Sequence, residues 1–409
     1  MNDPNAGMNE SLQAVKVRDR VFWVGAIDWG VRDFHGYLTG RGSTYNAYLV
    51  VADKVALIDT VKAPFEREML HRIASVMDPQ KIDYIISNHA EPDHSGCLPR
   101  IIEAVKPERV FASPRGVEAL PRHYHLAQEI APAKEAESLD LGGATLSFVE
   151  TPMVHWPDSM FTYLAEERVL FSSDAFGMHL ATSERFADEV DPAILEYEGA
   201  KYFANILMPL SALIAKLLDK VGKLGLTIET IATAHGPIWR KDVAKIVGLY
   251  STWAAQKRTN KAVVAYDTMW QSTDLMARAI GDGLAAGGAS VKLMPLKSCH
   301  RSDVAYEVLD AGALIVGSPC LNNTMFPTIA DVLTYLKGLK PRNLIGAAFG
   351  SYGWSGEAVS QVNDALQAMN VELVSEGLRV KYVPDAHALA ECRALGTVVA
   401  EKLTALCKG

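Results

Sequence analysis

No two cysteines in this 409-residue chain stand in a CxxC pair. The five thiols, Cys97, Cys299, Cys320, Cys392 and Cys407, are scattered and odd in number. This excludes a built-in rubredoxin or zinc ribbon, which need paired thiolates, and fits a reducing cytoplasm. Basic charge is not in excess either. A net charge of -8 argues against nucleic acid as a partner, because phosphate binding needs a basic face. No uninterrupted apolar run approaches the roughly 18–20 residues of a membrane span. The first residues, Met1 to Asn5, are polar and lack a signal-peptide core, so a cytoplasmic location and no membrane partner are expected. GxGxxG and the Walker lysine are both missing, which disfavours a dinucleotide or NTP site.

What is present is ordinary in bulk: 49% hydrophobic and 22% charged residues suit a globular chain. The length exceeds a typical single core and predicts two domains, 1–256 and 257–409, joined at the short polar stretch Lys257-Arg258-Thr259-Asn260. In the first, β-rich runs at 21–24, 46–51 and 55–59 precede a helical pattern at 62–77 and a strand at 82–87. Further strands are expected near 109–112, 144–150, 160–164 and 168–172, then a long helical region over 191–220. A strand at 228–233 and a helix at 241–256 close this half. In the second, strands near 261–266, 290–294, 313–317, 343–349 and 371–374 alternate with helices, the last over 386–406. That pattern predicts a five-stranded, doubly wound parallel sheet.

The most informative stretch is Asn88-His89-Ala90-Glu91-Pro92-Asp93-His94, which follows the apolar run Tyr84-Ile85-Ile86. Its two imidazoles and two carboxylates are more than one small cation needs, so it reads as half of a two-metal site. His155, Asp174 and His235 each end their own strand-like run and are candidates for the other half. Cys97, three residues after His94, is read as a buried thiol rather than a ligand.

Ligands delivered by several strands to one rim resemble the metallo-β-lactamase fold, an αββα sandwich with a binuclear site. The resemblance covers roughly residues 20–250. The common hydrolases of that superfamily carry HxHxDH, whereas Glu91 stands here at the second histidine. A carboxylate there favours iron over zinc. By matching positions, the resemblance implies one iron at His89, Glu91 and His155, a second at Asp93, His94 and His235, and Asp174 bridging them.

The second half carries three loops at carboxyl ends of its strands, where doubly wound folds bind ligands. Thr268, Met269, Trp270, Gln271, Ser272 and Thr273 open a helix and can present N–H groups and hydroxyls to a phosphate. Pro319, Cys320, Leu321, Asn322 and Asn323 follow the third strand. Gly350, Ser351, Tyr352, Gly353 and Trp354 follow the fourth, with aromatic rings able to flank a flat cofactor. These loops resemble flavodoxin, which binds FMN.

An HxExDH sandwich followed by a flavodoxin-like domain is the layout of the flavodiiron proteins. Val31-Arg32-Asp33-Phe34-His35-Gly36-Tyr37 and Tyr197-Glu198-Gly199-Ala200-Lys201-Tyr202 add to the likeness. It departs from the family at Cys320, where relatives often carry a hydroxyl residue, and it looks like the minimal two-domain class. The resemblance implies reduction of O2 to water or NO to N2O, with His35 and Tyr202 lining the substrate pocket. It also implies FMN, a separate electron donor such as rubredoxin, and a head-to-tail homodimer or a tetramer built from it. The competing reading is a binuclear zinc hydrolase with a structural flavodoxin-like domain.

Overall fold

The computed structural model describes residues 12–135 and 137–408. The polar stretch Met1 to Asn5 lies outside them. The described chain divides into two compact units, one of residues 12–34, 39–202 and 212–251, the other of 35–38, 203–211 and 252–408.

Two sheets carry the first unit. One has seven strands in the order Val15–Lys16, Val21–Trp23, Tyr48–Val51, Val55–Ile58, Tyr84–Ser87, Arg109–Ala112 and Ile130–Pro132. The other has Ser138–Asp140, Thr145–Glu150, Met160–Leu164, Val169–Phe171 and Thr230–Ala232, in that order. Tyr48, Val50, Ala56, Ile58 and Ile86 of the first sheet share one core with Phe148, Met160, Leu164 and Phe171 of the second. Leu49, Val55, Leu57 and Ile85 point the other way, onto the helical residues Met69, Ile73, Leu98 and Ile101. With both faces covered, these strands read as continuous apolar runs instead of alternating ones. The outer face of the second sheet is covered through Phe161, Phe176 and Tyr250, whose rings lie 6.4 and 4.7 Å apart in turn. Tyr250 belongs to helix Val243–Ala255. The layers are therefore helix, sheet, sheet, helix.

Strand direction explains how one rim collects polar residues. Val169–Phe171 runs parallel to Thr230–Ala232, and Thr145–Glu150 lies two antiparallel steps away, so it runs the same way. Each of these three strands, like Tyr84–Ser87, ends where a candidate ligand begins.

In the second unit the order is Ser290–Pro295, Lys261–Tyr266, Ala313–Gly317, Ile345–Tyr352, with Glu372–Leu373 and Leu378–Lys381 both beside the last. All pairings are parallel. This is the 2-1-3-4-5 doubly wound arrangement. The fifth strand is split, and its second piece escaped the sequence reading because Leu378-Arg379-Val380-Lys381 has no apolar run. A hairpin of Cys320–Leu321 and Thr324–Met325 was also not foreseen.

The helical region expected over 191–220 is not continuous. Pro192–Tyr202 gives way to a π-helical turn, Phe203–Leu207, then a 3-10 turn, Met208–Leu210, before helix Ser211–Lys223. Pro192–Lys223 is long and apolar enough, by length and composition alone, to cross a membrane, although charged residues interrupt it and it holds no continuous apolar run of that length. Half of its apolar window is buried inside the fold, as in a core helix.

Candidate metal centre and flavin cleft

The loop after Tyr84–Ser87 is pinned before it reaches the site. Asp59 accepts the Asn88 backbone N–H (2.6 Å) and its side-chain amide (2.9 Å), while Thr162 donates to Asn88 Oδ1 (2.7 Å). His89 and Glu91, two residues apart in extended chain, share a side. Pro92 holds Glu91 extended (φ −60°, ψ 141°) and starts the single turn Pro92–Ser95, which swings Asp93 and His94 elsewhere.

Two groups result. His89, Glu91, His155 and Asp174 offer atoms within 4.8 Å of one another, and so do Asp93, His94 and His235. Asp174 reaches both. Its Oδ2 is 3.5 Å from His89 Nε2 and 3.4 Å from His155 Nε2, and its Oδ1 is 3.2 Å from His94 Nε2 and 3.4 Å from His235 Nε2. Glu91 Oε2 is 3.2 and 3.1 Å from the Nε2 atoms of His89 and His155. Asp93 is 3.3 Å from His94 Nε2 and 3.1 Å from His235 Nε2. Donor atoms bonded at about 2.0–2.2 Å to one first-row cation stand at about this spacing.

These approaches are not all hydrogen bonds. Both oxygens of Asp93, and Oδ2 of Asp174, are buried with no hydrogen-bond partner among the described residues. Lone pairs that face imidazole nitrogens without hydrogen-bond geometry fit a cation between them. Charge agrees: three carboxylates with neutral imidazoles cannot be buried uncompensated. Their pull is visible on the rings. Burial opposes charge on His235 and His155, yet Asp174 with Asp93 or Glu91 outweighs it, raising them to about 10 and about 9.

The far sides of the rings are fixed as well. His89 Nδ1 donates to Asp158 Oδ2 (3.1 Å), which also takes the Ala90 N–H (2.6 Å). His235 Nδ1 donates to the Thr44 carbonyl (2.6 Å). Both acceptors lack a proton, so the tautomer is set and each Nε2 keeps its lone pair for a metal.

Tyr202 donates to Asp174 Oδ1 (3.2 Å). Burial, then Asp174, holds its phenol well above the usual range, so it keeps its proton. His179, which the sequence did not single out, lies 5.1 Å from the Tyr202 ring and 4.8 Å from His235. It meets Ser43 Oγ at 2.8 Å, and burial together with His235 keeps it neutral. The one signal for His179 was its place five residues after Asp174. Asp158 stood in the string after His155 but looked like an ordinary turn residue. His35 falls in the short segment 35–38 of the second unit, with a left-handed φ of 56°. Cys97 is buried in the helix-facing core of the first sheet.

In the second unit a cleft of about 430 Å³ opens at the carboxyl ends of the strands. Met269, Trp270 and Ser272 of the first loop line it, with Pro319, Cys320, Leu321, Asn322 and Asn323 of the second and Ser351, Tyr352, Gly353 and Trp354 of the third. Its volume suits a flat cofactor. Trp270 and Trp354 are 88% and 84% exposed beside it. Asn322 (φ 51°) and Asn323 (φ 61°) form the tip of the hairpin, a turn that needs left-handed residues. Ser355, Tyr382 and Val383 also line the cleft, the last two just beyond the strand the sequence hid. Thr268, Gln271, Thr273 and Gly350 are not among the lining residues, and Gln271 is exposed. Thr268 and Thr273 are buried, and the Thr273 hydroxyl pairs with Ser351 Oγ (3.0 Å).

Residues 44–236 match the family described as ODP family beta lactamase, and residues 264–396 match flavodoxin. A nitric oxide reductase from Moorella thermoacetica is 48% identical across 96% of this chain and 99% of its own length. The solved rubredoxin oxygen:oxidoreductase from Desulfovibrio gigas is 44% identical, with a TM-score of 0.94 over 96% of this chain and 99% of that one. A flavodiiron protein from Giardia intestinalis has the same TM-score at 34% identity, covering 97% and 98%. Similarity of this extent, over both units at once, makes the chain a member of the flavodiiron protein family.

Proposed function

We propose that this protein reduces O2 to water, NO to N2O, or both, at a non-haem di-iron centre fed with electrons through FMN. The observation that carries the reading is the pair of donor groups meeting at Asp174, in a chain that also holds a flavodoxin-type cleft. His89, Glu91 and His155 would hold one iron and Asp93, His94 and His235 the other, with Asp174 within reach of both groups. Bound there, the metals would supply the redox chemistry of diatomic reduction and FMN the electrons.

The remaining work falls to the chain. Asp158 and Thr44 keep the rings of His89 and His235 aimed. Glu91, an oxygen donor where the hydrolases use nitrogen, biases its site towards iron. Both reductions consume protons, and Tyr202 presents an O–H beside Asp174, with His35 as a second donor. Loop residues 268–273 would bind the FMN phosphate, and Tyr352 and Trp354, which line the cleft, would be available to its ring. A rubredoxin is the donor suggested by the name of the Desulfovibrio relative. A head-to-tail homodimer in the cytoplasm, with Trp354 near the partner subunit's irons, completes the reading. The exposure of Trp270 and Trp354 supports it.

Protein made in iron-replete cells is expected to hold about two irons and one FMN per chain, and to consume O2 or NO with reduced rubredoxin. Zinc in place of iron, with neither gas consumed, would reinstate the hydrolase.

A further inference from the structure

Tyr202 ends helix Pro192–Tyr202, and the π turn Phe203–Leu207 follows at once. A π turn interrupts the regular ladder. The aim of Tyr202 therefore depends on whatever holds that turn. Asn205, 8% exposed, is held at both ends of its amide: Nδ2 donates to the Ser302 carbonyl (3.1 Å), and Oδ1 accepts the Tyr335 hydroxyl (2.7 Å).

The same helix start holds a second segment. Ser302 Oγ accepts the Leu38 N–H (3.3 Å), and Arg301 Nε donates to the Gly36 carbonyl (3.2 Å). Gly36 has φ 77°, a left-handed conformation that favours glycine, and a Cβ there would lie 2.3 Å from Arg301 Nη2, so a larger residue would displace the guanidinium. Arg301 is fixed in turn by Asp331 (2.5 Å) and by the Tyr335 ring, 5.1 Å from its guanidinium carbon. Arg301 and Ser302 open helix Arg301–Val308, and Tyr335 lies on helix Pro327–Leu339. One small cluster of the flavodoxin-like unit thus holds the residues directly after Tyr202 and those directly after His35.

We infer that Asn205, Arg301, Ser302 and Tyr335 are positioning residues for the two proton donors of the reaction. The Tyr202–Asp174 bond, at 3.2 Å, already exceeds the usual 2.5–3.0 Å of a hydroxyl–oxygen bond. A few tenths of an ångström at the π turn are enough to break it. The role in turnover rests on the reduction reading above, whereas the effect on Tyr202 does not.

The test uses the holoenzyme. Tyr335→Phe is expected to lower kcat about two- to tenfold, the usual worth of one hydrogen bond, at unchanged iron and FMN content. In a Tyr202→Phe background it should cost nothing further. Arg301→Ala against His35→Asn reads the other arm in the same way. Independently, 3-fluorotyrosine placed at position 202 gives a 19F line that Tyr335→Phe and Asn205→Ala should each displace, while Arg240→Ala should not. Losses that simply multiply in the cycles, as for unconnected sites, or an unmoved fluorine line overturn the positioning role. A wild-type protein that consumes neither gas refutes the reduction reading instead, and the fluorine line still decides the positioning.

Discussion

Asp158→Asn separates the two halves of the metal centre. Asp158 is buried, and its Oδ2 takes both the His89 Nδ1–H and the Ala90 N–H. Burial pushes its carboxyl up, but His89 and the Ala90 N–H outweigh that and hold it below the ordinary value, so it carries full charge at neutral pH. Asparagine keeps the shape and one accepting oxygen and loses the charge. A hydrogen bond to a charged group contributes about 1.5–3 kcal/mol. Loss of such an outer partner typically weakens metal binding by about 10- to 100-fold. The loss should fall on the metal proposed for His89, Glu91 and His155, because Asp158 bonds to His89 and Ala90 and, among the described residues, shows no hydrogen bond to Asp93, His94 or His235. Stepwise competition with a chelator, followed on the metal-depleted protein, is expected to show one weakened step and one unchanged. Equal weakening of both steps, or none, would refute the separate-group argument. Thermal unfolding of the same sample guards against a general loss of structure.

Glu91→His restores the hydrolase pattern, and metal content after expression should shift from iron towards zinc with loss of gas reduction; unchanged iron and turnover would show that the carboxylate selects nothing. His155 and His235 are raised to about 9 and 10 by their carboxylates, so at pH 7 the metal-free rings carry protons that a cation must displace. Metal affinity should therefore fall as pH drops from 9 towards 6, and calorimetry in buffers of different ionisation enthalpy should detect at least about one proton released per metal. Zero release would contradict the raised values. A Cβ at Gly350 would meet the Ser318 carbonyl at 2.0 Å, so Gly350→Ala should shift the third flavin loop, destabilise its unit by about 1–3 kcal/mol and weaken FMN retention. Full retention by a gel-filtered sample at unchanged melting temperature would count against the close approach.

The layers and most elements were legible because their signals are local. Buried strands such as Val55–Ile58 and Ala313–Gly317 read as apolar runs, and the histidines and carboxylates end such runs. What stayed hidden depends on tertiary partners. Leu378–Lys381 is half polar and is a strand only because Ile345–Tyr352 offers it a free edge. The π turn after Tyr202 leaves no mark on a helical periodicity, since Asn205 looks like any polar residue until Ser302 and Tyr335 are in place. Asp158, His179 and Ser43 act through rings contributed by distant strands, and no spacing encodes that. Residues singled out in the three loops of the second unit do line one cleft, but the sequence could not tell Ser272, which lines it, from Thr273, which is buried against Ser351.

The strand Thr230–Ala232 lies at the edge of its sheet and carries the final donor, His235. Chains emerge from the ribosome N-terminus first, and a domain generally folds as a unit once its elements are made. His89, Glu91, His155 and Asp174 are all synthesised before this strand, so one donor group can be complete while Asp93 and His94 still wait for their third member. The two donor groups are thus unequal in order of synthesis as well as in chemistry. The second donor group is complete only in a chain made past this edge strand, so a doubly loaded centre marks a chain that carries every strand of both sheets.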